Sequence, residues 1–107
     1  LVKLYFGAAP FSFGLPPTEP SLDACLAMLG DSGLPWLVSA IGGDVVACGL
    51  ARLAIERGGH VQVGLECYDG PHTPTNEELV REVADITRSL GRRVAAPDDA
   101  RRIIGLA

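Results

Sequence analysis

Apolar runs alternate with amphipathic stretches along this chain, and the alternation predicts its elements. Leu1 to Ala8 is apolar and rich in strand formers, stops at Ala9-Pro10, and reads as a buried strand. Phe11 to Pro17 is a loop, broken by Gly14, Pro16 and Pro17. Thr18 is placed to cap a helix with Glu19 and Pro20 in its first turn. Leu22, Cys25, Leu26 and Leu29 then follow the spacing of one buried helical face, and Gly30 and Gly33 end it.

Pro35 to Ile41 is a second apolar run. Gly42-Gly43 follows, and Asp44 is placed to cap a helix buried through Val46, Leu50, Leu53 and Ala54 and closed by Gly58-Gly59. His60 to Glu66 reads as a third strand and Cys67 to Pro74 as a loop. Thr75 and Glu78 have the spacing of a capping box. Leu79, Val83, Ile86 and Leu90 form the apolar stripe of the helix that follows, ended by Gly91. Pro97 then leads Asp98 to Ile104 into a short terminal helix.

The order β-α-β-α-β-α-α predicts an α/β fold of parallel strands joined by right-handed crossovers. Three such strands leave open edges with unpaired backbone groups. A repeat of about 30 residues, against the roughly 250 that eight units take, makes the chain about three of the eight units of a (β/α)8 barrel. The chain opens inside a strand and not on Met, so residues 1–107 read as a single partial barrel domain, the C-terminal three βα units of a larger TIM barrel plus a short terminal helix.

Composition narrows the class. With 48% hydrophobic and 21% charged residues the chain reads as globular. A net charge of −4, with basic pairs only at Arg92-Arg93 and Arg101-Arg102, gives no surface for a nucleic-acid backbone. No apolar run reaches the roughly 20 residues of a membrane span, so no membrane partner is expected. Cys25, Cys48 and Cys67 are an odd number without CxxC spacing; they predict neither a disulfide framework nor a zinc ribbon, and point to a cytoplasmic location.

Candidate chemistry gathers on the third strand. Alternation puts Val61, Val63 and Leu65 on one face and His60, Gln62, Gly64 and Glu66 on the other. The polar face is expected inside the barrel, with Glu66 at the strand's C-terminal end, where barrel enzymes hold their reacting groups. Pattern alone leaves Glu66 as a metal ligand, a general base or a buried ion-pair partner. His60 stands at the other end of the strand and reads as structural, His72 as a solvated loop histidine, and Ser39 as core. Gly42-Gly43 either presents backbone N–H groups to a phosphate or makes a tight strand-to-helix turn. Gly7-Ala8-Ala9 and Ser12 follow a strand end and are candidates for a substrate pocket.

Gly58-Gly59-His60-Val61-Gln62-Val63-Gly64-Leu65-Glu66 resembles the glycine-glycine-x-valine-arginine-valine-glycine-leucine-glutamate-aspartate segment of the β-keto acid cleavage enzymes. Thr75-Asn76-Glu77-Glu78-Leu79-Val80 is similar to that family's asparagine-x-x-leucine-valine helix start. Leu90-Gly91-Arg92 and Pro97-Asp98-Asp99-Ala100-Arg101 resemble its ending, while Phe6-Gly7 and Trp36 through Gly43 sit where it has its sixth and seventh strands. The resemblance implies a (β/α)8 barrel holding a divalent metal, usually zinc (Zn2+). Its ligands would be two histidines of a His-x-His motif on an early strand and a glutamate matched by Glu66. It implies a retro-Claisen-type reaction in which a β-keto acid and acetyl-CoA give acetoacetate and a new acyl-CoA. It also implies a homo-oligomer, and makes CoA the phosphate-bearing partner of Gly42 and Gly43.

Two positions depart from the pattern. Gln62 stands where the family has arginine, and Cys67 where it has aspartate, both implicated in acid–base work beside the metal. Gln62 supplies no fixed charge and an unperturbed thiol is neutral. Asp69, two residues on, is the candidate replacement carboxylate. The alternative is a catalytically altered member with a metal-binding or structural role. A self-standing nucleotide-binding domain finds no GxGxxG or Walker pattern to support it.

Overall fold

The computed structural model describes residues 1–11 and 13–106. Its elements follow the predicted order: β1 (Val2–Gly7), α1 (Glu19–Leu29), β2 (Trp36–Ile41), α2 (Leu50–Glu56), β3 (His60–Val61), α3 (Asn76–Ser89) and α4 (Pro97–Ile103). The strands form one parallel sheet in the order β1-β2-β3. No helix among the described residues is long and apolar enough to cross a membrane.

Partners in a parallel ladder point to the same face. Leu4 pairs with Val38 and Phe6 with Ala40, while Val61 flanks Val38 on the other side. This face carries the core: Phe6, Val38 and Ala40 are buried against Leu22 of α1 and Leu50, Ala51 and Ala54 of α2. The opposite face carries Lys3, Tyr5, Leu37, Ser39 and Ile41, and is closed only in part.

Helix α1 begins as its sequence dictates. The Thr18 hydroxyl accepts from the Ser21 N–H at 3.4 Å, and Pro20 lies in the first turn, where its missing N–H costs nothing. Arg57, just past α2, forms ion pairs with Glu19 and Asp23 and so ties α1 to α2 across the surface. Helix α3 carries the full capping box: Glu78 N–H donates to the Thr75 hydroxyl at 3.2 Å, and Thr75 N–H donates to the Glu78 carboxylate at 2.7 Å. Leu79 is the buried anchor of its stripe. Helix α4 buries no residue; its Ile103 and Ile104 face Leu1, Leu37 and His60 at the N-terminal ends of the strands.

Two elements differ from expectation. The helix expected from Asp44 onward is divided. Asp44 Oδ1 accepts from the N–H groups of Val46 (2.9 Å) and Ala47 (3.2 Å), but it caps only a turn over residues 45–48. Gly49 then takes φ +82°, a left-handed conformation that ends the turn, and α2 starts afresh at Leu50.

The third strand, expected to run to Glu66, ends at Val61. Gln62 N–H still donates to Val38 C=O at 2.9 Å, and Gly42 N–H donates to Cys67 C=O at 3.0 Å. Between the Val38–Val61 pairing and the Gly43–Tyr68 bridge, β2 and its loop spend residues 39–42 while the neighbour spends residues 62–67, two more. The two extra residues are taken up in a turn in which Gly64 C=O accepts from both Cys67 and Tyr68 N–H at 3.2 Å. The strand pleat is lost there, as at a bulge. Glu66 therefore lies exposed in a turn and not at an inward-facing strand end, and Leu65, expected to face the helices, is 52% exposed.

Candidate functional site

The loops that follow the three strands are stitched together at their C-terminal ends. Ala8 N–H donates to Ile41 C=O at 2.9 Å, Gly42 N–H to Cys67 C=O at 3.0 Å, and Asp69 N–H to Gly43 C=O at 3.0 Å. A parallel bridge joins Gly43 to Tyr68. The pairing of the sheet is thus carried past the strands into the loops that bear the candidate residues.

Packing explains why residues 42 and 43 are both glycine. Gly42 sits at φ +74°, and a Cβ there would come within 2.0 Å of the Phe11 ring. A Cβ on Gly43 would come within 2.7 Å of the Ala8 side chain. The two glycines let the loop after β1 close directly onto the loop after β2. The Gly42 N–H is already bonded to Cys67, and Asp44 occupies the N–H groups of Val46 and Ala47. These three donors are engaged within the chain.

A crevice opens beside this junction. Gly43, Asp44, Gln62, Cys67 and Tyr68 line it together with the core side chains Ala40, Val45 and Val63 and with Leu79 of α3. At about 10 Å³ it has room for roughly one water molecule. Three of the sequence candidates, Gly43, Gln62 and Cys67, therefore share one lining. Cys67 is half-buried with a free thiol. Glu66 and Asp69 are exposed and lie outside that lining, as does His72, which borders a separate surface hollow with Glu78 and Glu82. Ser12 lies outside the described residues, and Ser39 is buried in β2 as expected.

Two contacts add residues that the sequence pattern did not single out. Tyr5 reaches from β1 along the half-open face, and its hydroxyl donates to Gln62 Oε1 at 3.3 Å. The alternation Lys3, Tyr5 on β1 was the available signal, since it puts a phenol tip on the same face as Gln62. Asn76, the first residue of α3, accepts through Oδ1 from Leu65 N–H at 3.1 Å and so holds the turn that carries Glu66. No sequence spacing announces that bond, because it joins a loop to a helix start eleven residues on.

His60 stands at the opposite end of the sheet. Burial, and then the positive charge of Arg92, hold its pKa below the ordinary histidine value. It lines the gap beneath the strands together with Val94, Ala95 and Ile103 of the C-terminal segment, in keeping with a structural role.

The fit to a metal is partial. Among the described residues no hydrogen bond or ion pair engages the Glu66 carboxylate, so it is free to take a ligand. Among the same residues no group of three or more His, Cys, Asp or Glu side chains gathers to hold a metal ion. A catalytic zinc takes three protein ligands. The donors present therefore fit one ligand of such a site and not the whole of it.

Comparison with known proteins matches this frame to a family. The family model described as beta-keto acid cleavage enzyme matches residues 1–106. A 3-keto-5-aminohexanoate cleavage enzyme of Fusobacterium nucleatum is 40% identical over 78 residues, covering 69% of this chain and 28% of that protein. The enzyme of the same name from Acetoanaerobium sticklandii is 39% identical over 76 residues, covering 67% of this chain and 27% of its own length. A 3-dehydrocarnitine:acetyl-CoA trimethylamine transferase of Rhizobium meliloti is 31% identical over 97 residues, covering 87% of this chain and 32% of that protein. The chain thus spans less than a third of the length of each of these relatives, yet the family match runs along nearly all of it. This chain belongs to the β-keto acid cleavage enzyme family.

Proposed function

We infer that the chain is the C-terminal three βα units of a (β/α)8 barrel enzyme. That enzyme converts a β-keto acid and acetyl-CoA into acetoacetate and a new acyl-CoA. The observation that carries the reading is the family match along residues 1–106. The names of the relatives agree with it, since one cleaves a keto acid and another takes acetyl-CoA as its co-substrate. Gln62 and Cys67 lie together at the C-terminal ends of the strands, the end at which barrel enzymes hold substrate.

In this reading Glu66 is one ligand of a divalent metal, with zinc the expected ion, and ligands from other parts of the barrel complete the site. Such a metal supplies Lewis-acid polarisation of the keto-acid carbonyl. This chain's own residues bind and orient. The Gln62 amide donates to a substrate oxygen. The Cys67 thiol fills the wall beside it, and Asp69 is the nearby carboxylate available for proton transfer. The loop at Gly42 and Gly43 borders the path of the CoA arm.

The test uses the full-length protein. Acetoacetate formation from a β-keto acid and acetyl-CoA is measured alongside bound metal. Glu66→Gln is expected to lower both by about 10–100-fold, the range seen when even indirect partners of a metal ligand are lost. Unchanged metal content and turnover in Glu66→Gln would overturn the assignment of Glu66. Asp69→Asn with wild-type turnover would remove Asp69 from the chemistry. A second reading, a member with altered chemistry, draws on the neutral pair Gln62 and Cys67 at positions where the family pattern has arginine and aspartate. Metal binding by the wild type without acetoacetate formation is its signature.

A further inference from the structure

Tyr5 and Gln62 lie on the half-open face of the sheet, on opposite sides of Ser39 in β2. A side-chain amide has one accepting end and one donating end, and a phenol hydroxyl can engage either. Here the Tyr5 hydroxyl donates to Gln62 Oε1 at 3.3 Å. That leaves Nε2, with two N–H donors, as the free end of the amide; among the described residues no acceptor meets it. No fully buried polar side-chain atom among those residues lacks a partner, so Nε2 of the half-buried Gln62 keeps some exposure. The Gln62 amide thus stands with Tyr5 on the half-open face, apart from the core-lined crevice that holds about one water molecule.

We propose that Tyr5 is a positioning residue: by engaging Oε1 it fixes the Gln62 amide so that Nε2 faces the ligand. The site then selects a ligand group that accepts hydrogen bonds, a carboxylate or carbonyl oxygen, and rejects a cation or a pure donor. This rests on the β-keto acid reading above, because such an acid offers both kinds of oxygen. Without the phenol hydroxyl the amide is free to turn, and the donors face a ligand on the half-open face only part of the time.

The experiment measures acetoacetate binding at equilibrium, acetoacetate formation from a β-keto acid and acetyl-CoA, and thermal stability in the full-length protein. The variants are Tyr5→Phe, Gln62→Glu, Gln62→Ala and Tyr5→Phe/Gln62→Ala. Tyr5→Phe is expected to weaken acetoacetate binding about tenfold at unchanged melting temperature, the scale of one hydrogen bond to a charged group. Gln62→Glu keeps an acceptor for Tyr5 but loses both donors, and is expected to weaken binding at least as much. On the Gln62→Ala background Tyr5→Phe is expected to add nothing. Equal weakening by Tyr5→Phe in the presence and absence of Gln62 would overturn the proposal, as would a lowered melting temperature with unchanged binding. Failure of the wild type to bind acetoacetate would also overturn it. Coupled binding without turnover would uphold the role of Tyr5 while removing the catalytic reading, and turnover without coupling would do the reverse.

Discussion

Gly42 shows how single residues set the geometry of this site. Its φ of +74° is one that side-chain-bearing residues rarely adopt, and the Phe11 ring occupies the space a Cβ would need. Gly42→Ala is therefore expected to destabilise the protein by about 1–3 kcal/mol through backbone strain, with a further loss from displacing the ring. Chemical denaturation of the full-length protein checks this. Phe11→Ala in the same background should recover only the steric part, because the left-handed backbone remains. At this scale the sequence was informative about residue types and less so about their setting. Gln62 and Cys67 could be singled out from the third apolar run, and they do share a crevice. Glu66 could be singled out as well, but not its turn. Two extra residues between the Val38–Val61 pairing and the Gly43–Tyr68 bridge move it out of the pleat, and only the partner strand reveals that excess.

Among the elements, α3 is the one whose beginning is most fully written in its sequence. Thr75 and Glu78 satisfy two backbone N–H groups reciprocally, and Glu77 and Glu78 put negative charge at the positive end of the helix dipole. The Thr75 backbone N–H, and then its hydroxyl, hold the Glu78 carboxyl below its ordinary pKa of 4.5. A carboxyl with a lowered folded-state value contributes stability that is present above pH 4.5 and is lost as pH falls through the lower folded value. Thr75→Ala is expected to cost about 1 kcal/mol near neutral pH. It should also flatten the acid limb of the stability–pH curve in part, since the alanine keeps the backbone N–H and loses only the hydroxyl, whereas Glu78→Gln removes the whole of that contribution. A Glu78→Gln acid limb as steep as that of the wild type would contradict the assignment. The division of α2 shows the converse. Val46, Leu50, Leu53 and Ala54 keep one helical spacing across Gly49, so periodicity predicted a single helix. The left-handed Gly49 interrupts it without disturbing which side chains reach the core.

For the whole molecule, open edges dominate. Among the described residues only β2 has a strand on each side; the outer edge of β1 is met at its end, where Gly7 N–H donates to Leu15 C=O at 3.0 Å, and the rest of that edge and the edge of β3 face no strand. Helices cover one face of the sheet, while Tyr5, Leu37, Ile41 and Gln62 stay half-exposed on the other. Expressed alone, the 107 residues are expected to self-associate through these edges, with a sedimentation profile that shifts with concentration. A sharp, concentration-independent unfolding transition of a monomer would contradict this. By itself the sequence determined the order of the elements, the parallel sense of the strands, the cap of each long helix and the family. All of these follow from local periodicity, capping chemistry and short-range motifs. Tertiary structure alone decided where β3 ends, why Gly42 and Gly43 must both be glycine, and that Tyr5 and Asn76 belong to the site. Those facts arise from register between strands and from contacts between loops distant in the chain. Such contacts are set by the packing of one element on another: alternation along β1 gives the face of Tyr5 but not its partner, and no spacing gives the Asn76 contact.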